Sequence, residues 1–185
     1  MVEIETKYFG KIIFDETKKS DIISVKYGRS ILNIGLPCCF INNKETLNSC
    51  IEIMNKYKKI NRIAKREIKN IAVNEENIVK HFFKYHFDNY EKEKINTIFN
   101  INIFEKVDLN KIIKIMKCSD FLFQTGEDDN GDDDNNKITF WINYMISKEH
   151  FSETLCIRMD NEFNIIEVDH FNKKNYKNSI RRNFT

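Results

Sequence analysis

The chain has 185 residues, 41% hydrophobic and 31% charged, with a formal net charge of +2. That length suits one domain with a substantial core, and 15 Phe and 7 Tyr exclude a chain that is disordered throughout. A charge so close to neutral argues against a general nucleic-acid binder, which carries a strong basic excess.

Tyr8 to Phe14 reads as a first strand. Asp21 to Tyr27 and Ser30 to Leu36 read as two further strands across a tight Gly28-Arg29 turn, an antiparallel meander that Pro37, the sole proline, brings to a stop. The hydrophobic period then changes. Leu47, Cys50, Ile51, Met54 and Tyr57 fall at helical spacing, with Asn43 or Thr46 as the cap. Ile60, Ile63, Ala64, Ile68 and Ile71 follow in the same way. A third helix is expected from Asn74, with Glu75 and Glu76 in its first turn, carrying Ile78, Val79, Phe82, Phe83 and Tyr85 toward Tyr90. Ile95 to Ile103 fits a helix or an extended segment equally, and Asp108 is placed as the N-cap of a helix reaching Met116. Four strands close the chain: Asp120 to Thr125, Ile138 to Ile146, Thr154 to Met159 and Asn164 to His170. One α+β domain over residues 1–185 is expected, a mainly antiparallel sheet from N- and C-terminal strands packed on a helical middle.

Between Thr125 and Ile138 no residue from Gly126 to Asn136 is apolar, so an exposed acidic loop is expected over 126–137, at the tip of a hairpin. Glu127, Asp128, Asp129, Asp132, Asp133 and Asp134 place six carboxylates there, while Lys56 to Lys69 and Lys173 to Arg182 are basic. The loop fails as an EF-hand: with Gly131 at position 6, Gly126 occupies position 1 and Lys137 position 12, so the first and last ligands are missing. A solvated tip, nonspecific weak cation binding and an acidic contact surface for a basic protein partner are the readings that remain. Ile, Asn and Lys dominate over Ala, Gly, Pro and Arg, as an AT-rich coding bias such as that of a low-GC bacterium produces.

Cys38, Cys39, Cys50, Cys118 and Cys156 are odd in number and form no CxxC pair. Met1 to Lys11 carries Glu3, Glu5 and Lys7 without a continuous apolar run, and no stretch approaches the roughly 18 apolar residues of a membrane span. Reduced thiols in a cytoplasm are therefore expected. His81 and His86 stand five apart, about 140° around a helix, which is unsuited to a shared metal ion; His150 falls in a loop and His170 at a strand end. No metal ligand set or cofactor motif results. Glu167 and Asp169 alternate on one strand face, with Ile166 and Val168 on the core side; this reads as an ordinary polar solvent face, with acid–base work alongside His170 as the alternative. Lys58, Lys59, Arg62, Lys65, Arg66 and Lys69 line a helix without interleaved aromatics and read as a solvated surface. No Gly-rich phosphate loop or nucleophile elbow is present.

Tyr8-Phe9-Gly10-Lys11-Ile12 at one end, and Leu155 to Asp160, Asn161-Glu162-Phe163 and Ile165 to His170 at the other, resemble the bookend segments of a bacterial family known as domain of unknown function two thousand and four. Asn143, in Trp141-Ile142-Asn143-Tyr144, stands near the place where that family typically has Asp. The resemblance implies a small cytosolic bacterial protein, comparable with the immunity proteins of polymorphic toxin systems. The expectation is a non-enzymatic protein that binds a protein partner, a basic bacterial toxin, through Glu127 to Asp134, with no membrane or nucleic-acid role. An enzyme with an unrecognised site and an oligomeric module pairing through a sheet edge are the alternatives.

Overall fold

The computed structural model describes residues 1–73, 77–89, 97, 109–127, 133–146 and 153–172. The chain opens with β1 (Val2–Thr6) and β2 (Gly10–Phe14), an antiparallel hairpin that forms a two-stranded sheet of its own. Gly10 takes φ 67°, where a side chain would be strained, and Thr6 closes the turn. Its hydroxyl donates to the Gly10 carbonyl (3.1 Å) and accepts from the Phe9 amide (3.2 Å). The expected strand from Tyr8 is thus corrected at its start: Tyr8 and Phe9 lie in the turn. Val2–Thr6, with Ile4 and Thr6 turned inward, is a strand the sequence reading missed.

The main sheet has six strands in the order β3-β4-β5-β6-β7-β8: β3 (Ser20–Tyr27), β4 (Ser30–Pro37), β5 (Lys117–Glu127), β6 (Asp133–Met145), β7 (Glu153–Asp160) and β8 (Ile165–Asn172). Neighbours are antiparallel except β4 and β5, which run parallel with Asn33 opposite Asp120 and Gly35 opposite Leu122. The chain between Pro37 and Lys117 carries the helices, the long crossover that a parallel pair requires. The protein is one α+β domain, as expected.

Two single-residue bulges break the sheet's two-residue period, besides a longer register shift between Thr125 and Gly126. Ser119 is the extra residue between Cys118 and Asp120, and Ile166 the extra residue between Ile165 and Glu167. The second overturns one expectation: Ile166 is 50% exposed, and Ile165 packs toward the core in its place.

The helices are α1 (Cys38–Ile41), which the sequence reading did not anticipate, α2 (Lys44–Met54), α3 (Tyr57–Val73), α4 (Ile78–Asn89) and α5 (Leu109–Ile115). Asn43, not Thr46, caps α2; its Oδ1 accepts from the Glu45 and Thr46 amides at 3.0 and 3.1 Å. The helix ends at Asn55-Lys56, so Tyr57 opens α3 instead of closing α2. Ile60, Ala64, Ile68 and Ala72 form the buried stripe of α3 at a spacing of four. Asn77 caps α4, accepting from the Lys80 amide at 3.0 Å. The expected helix start at Asn74, the Asp108 cap and the ambiguous Ile95 to Ile103 segment, apart from Thr97, which is helical, lie outside the described residues.

One sheet face and the helices enclose the core. Phe121, Phe123 and Phe140 meet with ring centroids 5.0 to 5.8 Å apart. Tyr57 contacts Phe9, Tyr27 and Phe121, joining hairpin, edge strand and sheet centre. Each fully buried aromatic of this kind contributes on the order of 2–3 kcal/mol. Polar ties fix the helices over the sheet. Tyr144 donates to Asn61 Oδ1 (2.6 Å), and Lys65 donates to the Lys114 and Met116 carbonyls at the end of α5 (3.0 and 2.8 Å).

Candidate functional site

Strand alternation sends a second set of side chains to the sheet face opposite the core. One row across the strands reads Ser24, Asn33, Asp120, Asn143, Cys156, Asp169; the adjacent row reads Ile22, Gly35, Leu122, Trp141, Arg158, Glu167. The first row is a hydrogen-bonded chain. Ser24 Oγ donates to Asn33 Oδ1 (2.8 Å), Asn33 Nδ2 to Asp120 Oδ1 (2.8 Å), and Ser119 Oγ to Asp120 Oδ2 (2.6 Å) and the Asn143 carbonyl (3.2 Å). The Ser119 bulge makes this possible by placing the hydroxyl beside the carboxylate of the next residue. Cys156 is buried in the same row, and burial, reinforced by Asp120, Asp169 and Glu167, pushes its thiol pKa far upward. It is therefore a neutral thiol and a poor nucleophile. In the second row Leu122 and Ile22 close over Gly35, Trp141 donates from Nε1 to Gln124 Oε1 (3.0 Å), and Arg158 meets Glu167 at 4.0 Å.

This geometry separates the expected acid–base set. Glu167 and Asp169 lie on the face that carries Arg158 and Cys156, whereas His170 lies on the helical face, its ring 5.3 Å from Phe82 of α4. The three residues do not converge on one reacting centre.

On the helical side His170 belongs to a different cluster. His86 is fully buried on α4; its Nδ1 donates to the Phe82 carbonyl (2.7 Å), which turns Nε2 toward the Glu153 carboxylate at 3.8 Å. Tyr85 and His170 complete the group, with rings 6.0 Å apart. Burial holds both His86 and His170 below the ordinary imidazole value of 6.5, against the opposing pull of Glu153. Burial and Glu153 together raise the Tyr85 phenol. The spacing of His86 from His81, which tests only for a shared metal ion, does not reveal this cluster. The signal was present in the stripe Val79, Phe82, Phe83, His86, which helical spacing already assigns to the buried face. His150 lies outside the described residues. Among the described residues no group of three or more His, Cys, Asp or Glu side chains is arranged to hold a metal ion.

The acidic segment is drawn into the sheet further than expected. After a register shift that passes over residues 135–137, Gly126 pairs with Asp134 and Glu127 with Asp133, so the β5–β6 ladder continues into the carboxylate run. Gly126 itself is buried rather than part of an exposed loop. Asp128, Asp129 and Asp132 lie outside the described residues.

The basic residues of α3 also differ from expectation, because other elements supply the aromatics absent from the helix. Lys58 and Lys7 stand 5.1 and 5.6 Å from the Tyr8 ring, and Lys59 and Lys56 stand 5.1 and 5.7 Å from Phe163. Phe163 is itself buried, which leaves its ring edge-on to Phe140 and unsuited to stacking on a base. Lys65 spends its ammonium on the carbonyls of α5.

No family model matches this sequence, and no curated protein and no solved structure matches it. The comparisons carry nothing on family, activity or partner. Among the described residues no helix is long and apolar enough to cross a membrane.

Proposed function

We propose that this is a non-enzymatic binding protein of a bacterial cytoplasm, an immunity protein that neutralises a cognate toxin by covering a basic surface on it. The contact is the β5–β6 hairpin with Glu127, Asp128, Asp129, Asp132, Asp133 and Asp134. One observation carries the reading: the ladder register sets Glu127 directly opposite Asp133. Like charges at facing positions of an antiparallel pair destabilise it by roughly 0.2–1 kcal/mol. A chain that extends its ladder into such a pair keeps a cost that a cationic partner would relieve on binding, and the same field would speed encounter. The division of Glu167 and Asp169 from His170 across the sheet favours this reading over the enzyme alternative.

The test is affinity capture from the native host with the tagged wild-type chain and a variant carrying Asn or Gln at all six acidic positions, at low and moderate salt. Wild type is expected to retain one stoichiometric protein, lost as salt rises, and the variant to retain much less at low salt. Equal retention by both chains would remove the hairpin from the interface.

A further inference from the structure

The contact of α4 with the end of the sheet combines buried apolar side chains with a cluster of titratable ones. Val79, Phe82 and Phe83 are buried on α4 beside His86, and the helix packs on α3, β7 and β8. The groups that act on one another there are His81, Tyr85 and His86 from α4, Glu153 from β7 and His170 from β8, with Asp169 pulling on His170 from the opposite sheet face. Among the described residues, α3 contributes no charged group to this set.

We propose that this contact is an acid-sensitive latch, in which protonation of His86 and His170 loosens α4 from β7 and β8 while the centre of the sheet stays formed. Two effects oppose each other. A proton on His86 would convert the 3.8 Å approach to Glu153 into an ion pair and hold the helix more tightly. It would also place a charge on a fully buried ring, against the opposing charge effect of His170. Burial is the larger effect for both rings, so each imidazole is more acidic in the docked state than the ordinary 6.5. The docked state therefore binds fewer protons than the released state. Its stabilisation is complete above about pH 6.5 and is lost as pH falls below that value. Each unit by which a docked histidine is lowered changes the opening equilibrium by up to about tenfold.

The experiment is hydrogen exchange of the whole chain, read by mass spectrometry at pH 7.5, 6.5 and 5.5 and corrected for intrinsic rates. Opening of the 78–89 segment is expected to rise about tenfold or more between pH 7.5 and 5.5, while 117–125 and 138–145 keep their protection. His170→Gln, at the less buried of the two rings, should keep the protection of α4 at pH 7.5 and flatten its response to acid. His86→Gln should flatten it further if the variant folds. Protection of α4 that is independent of pH, opening of helix and sheet together, or an undiminished response in His170→Gln would each overturn the latch.

Discussion

Asn33 on β4 donates to Asp120 on β5 across 2.8 Å, a side-chain tie at the one parallel pairing of the main sheet. The carboxylate also receives the Ser119 hydroxyl, and Asn33 receives Ser24, so a single amide links the edge strand to the sheet centre. Asn33→Ala removes a hydrogen bond to a charged acceptor and should cost about 1.5–3 kcal/mol of unfolding free energy in urea. Asn33→Asp should cost more, because it replaces the donor with a second carboxylate facing Asp120. An Asp variant as stable as the Ala variant would mean that the tie contributes nothing electrostatic.

Gly35 tests the packing of the same seam. A Cβ placed there would lie 2.8 Å from Leu122 Cδ2 and 3.3 Å from Ile22 Cγ1. Gly35→Ala should destabilise by about 1 kcal/mol and the branched Gly35→Val by about 2–3, the range for overpacked sites. In a double-mutant cycle Leu122→Ala should recover part of the Gly35→Val loss. Strict additivity would show that Leu122 is not the obstacle.

Thiol titration separates the five cysteines by environment. Cys38 and Cys39 are partly exposed, whereas Cys50, Cys118 and Cys156 are buried, and burial raises the thiol pKa at Cys50 and Cys156. Native protein at pH 8 is expected to show two reactive thiols with an aromatic disulfide reagent, and all five in denaturant. A third fast thiol in native protein would contradict the packing around it.

Phe163, in the β7–β8 turn, sets backbone strain against burial. It takes φ 73°, held by Asp160, which accepts from the Glu162 and Asn164 amides at 2.9 and 2.8 Å. Glycine would relieve roughly 1 kcal/mol of left-handed strain and forfeit about 2–3 kcal/mol of ring burial against Phe140. Burial wins, so Phe163→Gly should lower Tm. Phe163→Ala, which keeps the strain and loses the ring, should lower it further. The reverse order would show that strain is negligible at this turn.

Periodicity made most of the architecture legible. The β3–β4 pair, α2, α3 and the four closing strands all follow from spacing and turn residues read locally. What escaped depends on register or on distant partners. The bulge at Ile166 adds one residue without a sequence mark and reverses which isoleucine meets the core. Glu153 acquires meaning only beside His86, and Asn33 only beside Asp120, and neither pairing exists until the chain is folded. The acidic run was plain in composition, but the facing positions of Glu127 and Asp133 were not, because the register shift before Gly126 sets them.

The parallel seam also divides the sheet into two halves that differ in how far apart in sequence their partners lie. β3 with β4, and β5 through β8, are each built from strands adjacent in sequence, so both halves can form through local closures. Joining them brings together residues 87 positions apart, an entropic loss of about 4 kcal/mol for a flexible loop of that length. Contacts such as Tyr144 with Asn61, 83 positions apart, close over the same stretch, and Asn33 and Gly35 stand where the two halves of the sheet meet.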